Sequence, residues 1–252
     1  MFKNFGISIF LVLVISSCAT RKDVVYFQNS GDYETLVSDN TISNKFKIDD
    51  VVSIRVSTLD EQASLPFNLF SGNSESGMRP EQLDYIIDKN GEIDFPVIGK
   101  LKILGLSPEE TKILLIKELN DYLKDPIINI RLRNFSVTVL GEVNGAGTFV
   151  VNGEQITVLE ALGLAGDMTI RGKRNNVLVI RDFNGTKVYT RIDLTKKESL
   201  NSPVYYLTQN DVVYVEPNNS AIKTSTLDNR ASLLVSIASL LITSTVLILT
   251  RT

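Results

Sequence analysis

Three carboxylates crowd one short stretch, YIIDKNGEIDFPVIG, where Asp88, Glu92 and Asp94 surround Asn90-Gly91. Two carboxyl groups flanking a glycosidic bond are the equipment of a glycan hydrolase. The plainer reading is preferred, because Asp, Asn and Gly are also the residues that build a tight turn. Asp49-Asp50 reads as a turn for the same reason. The 252-residue chain has no His, so the usual neutral-pH general base and the commonest metal ligand are missing. The glycines near 141–147 are not followed directly by the long helix that a nucleotide loop needs. The expectation is a protein that is not an enzyme, with no cofactor and no metal site; a carboxylate-dependent hydrolase is kept as the least favoured alternative. Arg171, Lys173 and Arg174 form a basic run, read as solvated loop charges ahead of a subunit contact or a weak site for an anionic sugar. A net charge of −3 with no domain-scale basic patch argues against a nucleic-acid partner.

One covalent modification is expected. The start, MFKNFGISIFLVLVISSCAT, has Lys3, an apolar run over 7–15 and small residues leading to Cys18, the sole cysteine. That is the layout of a secretory signal peptide over 1–17. Ile15-Ser16-Ser17-Cys18 resembles the bacterial lipobox, which implies lipidation of Cys18 and a membrane-lipid partner. Ala19 after it resembles lipoproteins passed on to the outer membrane.

At the other end, ASLLVSIASLLITSTVLILT (231–250) carries no charge, Gly or Pro. Twenty residues at about 1.5 Å each match a hydrocarbon core of roughly 30 Å. On a wheel of about 100° per residue, Ser232, Ser236, Ser239, Thr243 and Thr250 share an arc of roughly 60°. Only Val246 interrupts that stripe. In a ring of helices these hydroxyls would be pore-lining candidates, with aliphatics turned to lipid. The competing reading is helix-to-helix packing, which small hydroxyl residues also favour. Ser244 and Thr245 lie off the stripe and are assigned to their own helix carbonyls.

These groups need a scaffold. Residues 18–44 read as a lipidated tether in which Val24-Val25-Tyr26-Phe27 adds one strand. Val52, Ile54 and Val56 alternate as in a half-buried strand. The stretch FSGNSESGMRP reads as an exposed loop, and Asn90-Gly91 as the turn of a hairpin between two apolar runs. Ser107, Pro108 and Glu110 open a helix over 108–123 with a capping box. Ile113, Leu114, Ile116, Leu119 and Leu123 are taken as its apolar face, and Pro126 as its stop. Strands follow at IINIRLR and FSVTVLGEV. Thr157 and Glu160 cap a short helix that closes on Gly166. VLVIRDF and KVYTRIDL pair around Asn184-Gly185, and DVVYVEP is the last strand. The pattern is α+β with mostly local antiparallel pairing.

The order of these motifs resembles the polysaccharide biosynthesis/export outer-membrane proteins of the Wza type. FKIDD with VVSIRV, then YIIDKNGEIDFPVIG, then the helix with Asp125-Pro126 are similar to the export domain. VTVLGEVNGAGTFVVNGEQITVLEALGLAGDMTIRGKRNNVLVIR resembles a soluble-ligand-binding β-grasp domain (SLBB). Glu142 falls in that family's GEV motif and is read as ending a strand. The resemblance implies an export domain over 45–134, a β-grasp-like domain over 135–217, a linker over 218–230 and a C-terminal amphipathic transmembrane helix over 231–250. It further implies a homo-oligomeric ring, commonly an octamer, in the outer membrane with a periplasmic body. Such a ring would export capsular or exopolysaccharide and dock on an inner-membrane polysaccharide co-polymerase, often a tyrosine kinase. One β-grasp unit, where the longest members carry two, implies a shorter body. The alternative is a periplasmic glycan-binding lipoprotein without a pore.

Overall fold

The computed structural model describes residues 24–31, 35, 44–71, 81–183, 185–226, 235–240, 243–244 and 247–248. Cys18, the signal peptide, the loop at 72–80, Asn184, Ser232 and Thr250 lie outside the described residues.

The first core forms around strand β1 (Val51–Ser57), whose Val52, Ile54 and Val56 point inward as the alternation predicts. Its neighbours are β4 (Tyr85–Ile86) and β7 (Ile127–Leu132), both antiparallel, with Ile54 opposite Ile130. After β1 come the short helix α1 (Glu61–Ser64), capped by Asp60, and a small ladder of β2 (Phe70–Ser71) with β3 (Glu81–Gln82).

The Asn90-Gly91 turn is present, with the Gly91 amide donating to the Asp88 carbonyl at 2.9 Å and Gly91 at φ +80°. The ladder forms one step later than expected. It joins β5 (Glu92–Phe95) to β6 (Gly99–Lys102) around Pro96–Ile98, because the run before the turn is taken by β1. Phe95 then stacks on Tyr85 at 5.6 Å inside the core.

Helix α2 (Pro108–Leu119) opens on the expected capping box, with Ser107 and Glu110 exchanging bonds with each other's backbone amides. Its inward stripe is Thr111, Leu115 and Leu119, spaced by four. The expected apolar face needs correcting. Leu115 is the centre of the stripe, and Ile113, two residues off it and so roughly 200° round the helix, is 62% exposed. The helix also stops at Leu119 rather than 123. Asn120 and Asp121 are poor helix formers, and the Leu119 carbonyl accepts from both the Tyr122 and Leu123 amides in a closing turn.

The second core fills one face of a five-stranded sheet in the order β12-β11-β14-β8-β9. Its strands are β8 (Ser136–Gly141), β9 (Gly147–Val150), β11 (Gly172–Phe183), β12 (Thr186–Ile192) and β14 (Val212–Pro217). Local hairpins β8–β9 and β11–β12 are antiparallel, as expected. The central pair departs from that expectation: β14 runs parallel to β8, from Val212 opposite Thr138 to Val215 opposite Gly141. A parallel pair needs a long crossover. Here it holds a small ladder of β10 (Ile156–Thr157) with β13 (Tyr206–Leu207), the second hairpin, and helix α3 (Val158–Leu164). Thr157 and Glu160 cap α3 reciprocally, and Val158, Ala161 and Leu162 are its buried residues. Gly166 follows at φ +72°.

Two further expectations are corrected. Residues 24–27 add no strand. Instead the Phe27 and Gln28 amides donate to the Leu194 and Thr195 carbonyls, strapping this segment across the second core. The span taken as a linker is helical over α4 (Asn219–Thr226), capped by Asn218, whose side-chain oxygen accepts from the Ala221 amide. Of the expected C-terminal helix, 235–240, 243–244 and 247–248 are helical and exposed. Among the described residues no helix is long and apolar enough to cross a membrane.

The two cores meet at Leu132, which packs against both. Asn134 accepts from the Val51 amide and donates to the Asp49 carbonyl, while the buried Gln209 donates to the Asn134 carbonyl. Lys47 closes the joint by donating to the Gln209 carbonyl at 2.9 Å.

Candidate functional site

The carboxylate cluster is organised as a turn. Asp88 accepts from the Asn90 and Glu92 amides at 2.9 and 2.8 Å. Those bonds hold its carboxyl below the ordinary Asp range, the reverse of what a general acid requires. Glu92 faces Lys100 at 3.8 Å, and Asp94 is exposed opposite Lys100 on the ladder. The preference for a turn over a hydrolase site has this geometric basis. Asp50 differs: it is 1% exposed and accepts from the Lys47 amide. Burial pushes its carboxyl up to about 6, against the pull of Lys47.

A cleft of about 390 Å³ opens beside the joint of the two cores. Phe46, Ile130, Phe135 and Val151 supply apolar wall, and Lys45, Arg131 and Arg133 supply cations against the single acid Glu154. Asn44 and Asn152 add amides, and Asn44 donates to the Glu154 carbonyl. Such a surface can hold an anionic, hydroxyl-rich chain by charge and hydrogen bonds. Sequence reading missed it because its parts lie about 100 residues apart and meet only through the joint.

The basic run is three different things. Lys173 pairs with Glu216 at 3.4 Å. Arg174 is 5% exposed, donates to the Met168, Thr169 and Gly172 carbonyls, and lies 5.1 Å from the Tyr26 ring centre. Only Arg171 matches the expected solvated charge. Tyr26 donates to Asp167 at 2.5 Å; burial, then that carboxylate, push its phenol above the ordinary range, so it stays a donor. Glu142 does more than end a strand, since it accepts from the Thr169 hydroxyl at 2.8 Å and so braces the same loop.

Of the hydroxyl stripe, Ser236, Ser239 and Thr243 are described and exposed. Ser239 donates to the Ser236 carbonyl at 2.8 Å and Thr243 to the Ser239 carbonyl at 2.6 Å. The stripe thus makes back-bonds of the kind assigned to Ser244 and Thr245, of which Thr245 lies outside the described residues. Among the described residues no three acidic or sulfur ligands gather closely enough for a metal ion.

Residues 40–133 match the polysaccharide biosynthesis/export protein family. The first core lies within that matched stretch and is similar to the family's domain. The EPS I polysaccharide export outer membrane protein EpsA of Ralstonia solanacearum is 25% identical over 146 residues, which are 56% of this chain and 38% of that protein. Its counterpart from Ralstonia nicotianae is 27% identical over 145 residues, 56% of this chain and 37% of that one. The chain thus spans about two fifths of the length of the curated relatives it matches. The likeness to Wza-type export proteins, read from motif order, stands on these matches.

Proposed function

We propose that this chain is a lipid-anchored outer-membrane subunit of a polysaccharide exporter, acting as a conduit and not as an enzyme. The observation that carries the reading is the export-family match over the first core, together with relatives named for exopolysaccharide export from the outer membrane. The topology of the second core supports a β-grasp of the soluble-ligand-binding type. A hairpin, a helix and a second hairpin lead to a last strand that returns parallel beside the first. Cys18 is lipidated in this reading, residues 231–250 cross the membrane, and several copies close a ring whose lumen is lined by Ser232, Ser236, Ser239, Thr243 and Thr250. Their neighbours Val235, Ile237, Leu240, Leu247 and Ile248 are each at least half exposed, which suits contact with lipid or a second copy. An inner-membrane co-polymerase, with or without a kinase, drives the chain of sugars through.

The test is removal of the gene and complementation. Loss of surface polysaccharide, restored by the wild-type chain and not by Cys18→Ala, is expected. Unchanged surface polysaccharide without the chain contradicts the reading. One observation favours the alternative, a glycan-binding lipoprotein without a pore: Ser239 and Thr243 satisfy their hydroxyls on their own helix and so do not require a wet face. In that case the cationic cleft beside Arg131 would bind an acidic oligosaccharide while the protein stays monomeric.

A further inference from the structure

We propose that the loop from Asp167 to Arg171 rests on the lipid surface, with Ile170 inserted among the acyl chains and Arg171 at the phosphate headgroups. The inference rests on the anchoring part of the proposed function and adds the surface by which the body meets the membrane.

Ile170 is 70% exposed, yet the loop that carries it is heavily braced. The Thr169 amide donates to the Glu142 carbonyl at 3.0 Å and its hydroxyl to the Glu142 carboxylate at 2.8 Å. The Arg171 amide donates to the Thr169 hydroxyl, and Arg174 gathers the Met168, Thr169 and Gly172 carbonyls from below. A fixed backbone therefore holds a large aliphatic side chain out of the protein. Beside it, Arg171 is exposed, while Lys173 is drawn back to Glu216.

Two segments distant in sequence, around Tyr26 and Asn218, both fasten to this loop. Tyr26 donates to Asp167, three residues before Ile170. Tyr26 lies eight positions after Cys18, a reach of at most about 28 Å if fully extended. On the other side Asn218 donates from its side chain to the Ile170 carbonyl at 3.3 Å and from its amide to the Arg171 carbonyl at 2.7 Å. Asn218 immediately precedes α4, which leads towards the apolar stretch at 231–250, and Ile222 on α4 is 46% exposed. A lipid anchor and a membrane helix that both leave from one loop bring that loop to the bilayer. An exposed aliphatic flanked by an exposed cation is the pairing that an interface accepts.

The chain has no Trp, so a single substitution makes a clean reporter. Ile170→Trp and, as a control on the first core, Leu59→Trp at a fully exposed site are made in the full-length protein. Each is reconstituted in phosphatidylcholine–phosphatidylglycerol vesicles with brominated acyl chains. In protein that floats with the vesicles, Ile170→Trp emission is expected to be blue-shifted and quenched several-fold, with Leu59→Trp unaffected. Floating protein in which the two positions are quenched alike, or not at all, overturns the inference and leaves the anchoring reading standing. Protein that does not float removes the anchoring reading and this inference with it.

Discussion

At the residue scale, Asp50 is a carboxyl strongly shifted by its surroundings. Its carboxyl is raised by burial to about 6, from an ordinary value near 4. Between those values the folded protein holds a proton that the unfolded chain has released. Stability contributed by Asp50 is therefore present below about pH 4 and lost as pH rises through about 6. Asp50→Asn keeps an acceptor for the Lys47 amide and removes the buried charge. Urea unfolding at pH 8 should find the variant no less stable than the wild type, by up to about 2 kcal/mol, with the difference gone near pH 4. A variant destabilised equally at both values would contradict this assignment.

Gly141 makes a different demand. It sits at φ +93°, and a Cβ there would lie 2.0 Å from the Val215 carbonyl oxygen in the parallel pair. Gly141→Ala should cost about 3 kcal/mol or more in thermal or chemical unfolding; a cost below about 0.5 kcal/mol, the range of neutral surface changes, would rule out the close approach. Residue-scale reading of the sequence found the turn at Asn90-Gly91 and both capping boxes, since each rests on neighbours within a few positions. It could not find Gln209, Arg174 or Tyr26. Their roles come from partners that the fold brings from far along the chain, such as Asp167 for Tyr26, 141 residues away.

At the element scale, α2 shows how a stripe is misplaced. The face taken from the sequence includes Ile113 and leaves out Thr111 and Leu115, yet the fold buries the line through Thr111, Leu115 and Leu119. Leu115→Ala should cost about 3 kcal/mol, and Ile113→Ala less than about 0.5 kcal/mol, by chemical denaturation. Equal costs would place the buried face elsewhere. Strand alternation was legible at β1 and β8, where one face is buried, while the partners of β14 were not, because parallel pairing leaves no local signal. The terminal helix carries its own test. Cysteines at Ser236 and Ser239 should react with a membrane-impermeant thiol reagent in intact membranes, and cysteines at Ile237 and Leu241 should not. Equal protection of both pairs would argue for a dry helix packing face.

At the scale of the whole molecule, two cores share Leu132 and a polar joint of Lys47, Asn134 and Gln209, so the first core and the second sheet meet at a defined joint. The strap at 24–31 and α4 both fasten to the second sheet's end. Motif order alone was enough to show the likeness to polysaccharide export proteins, because each motif reflects a local turn, cap or strand. The cationic cleft and the meeting of Tyr26 and Asn218 at one loop depend on tertiary placement and needed the structure. The most direct test of the conduit is electron microscopy of the full-length protein in lipid nanodiscs. A closed ring of identical copies, with an open axis lined by residues 232–250, is the expected result. Single copies, or a bundle sealed along its axis, would contradict it.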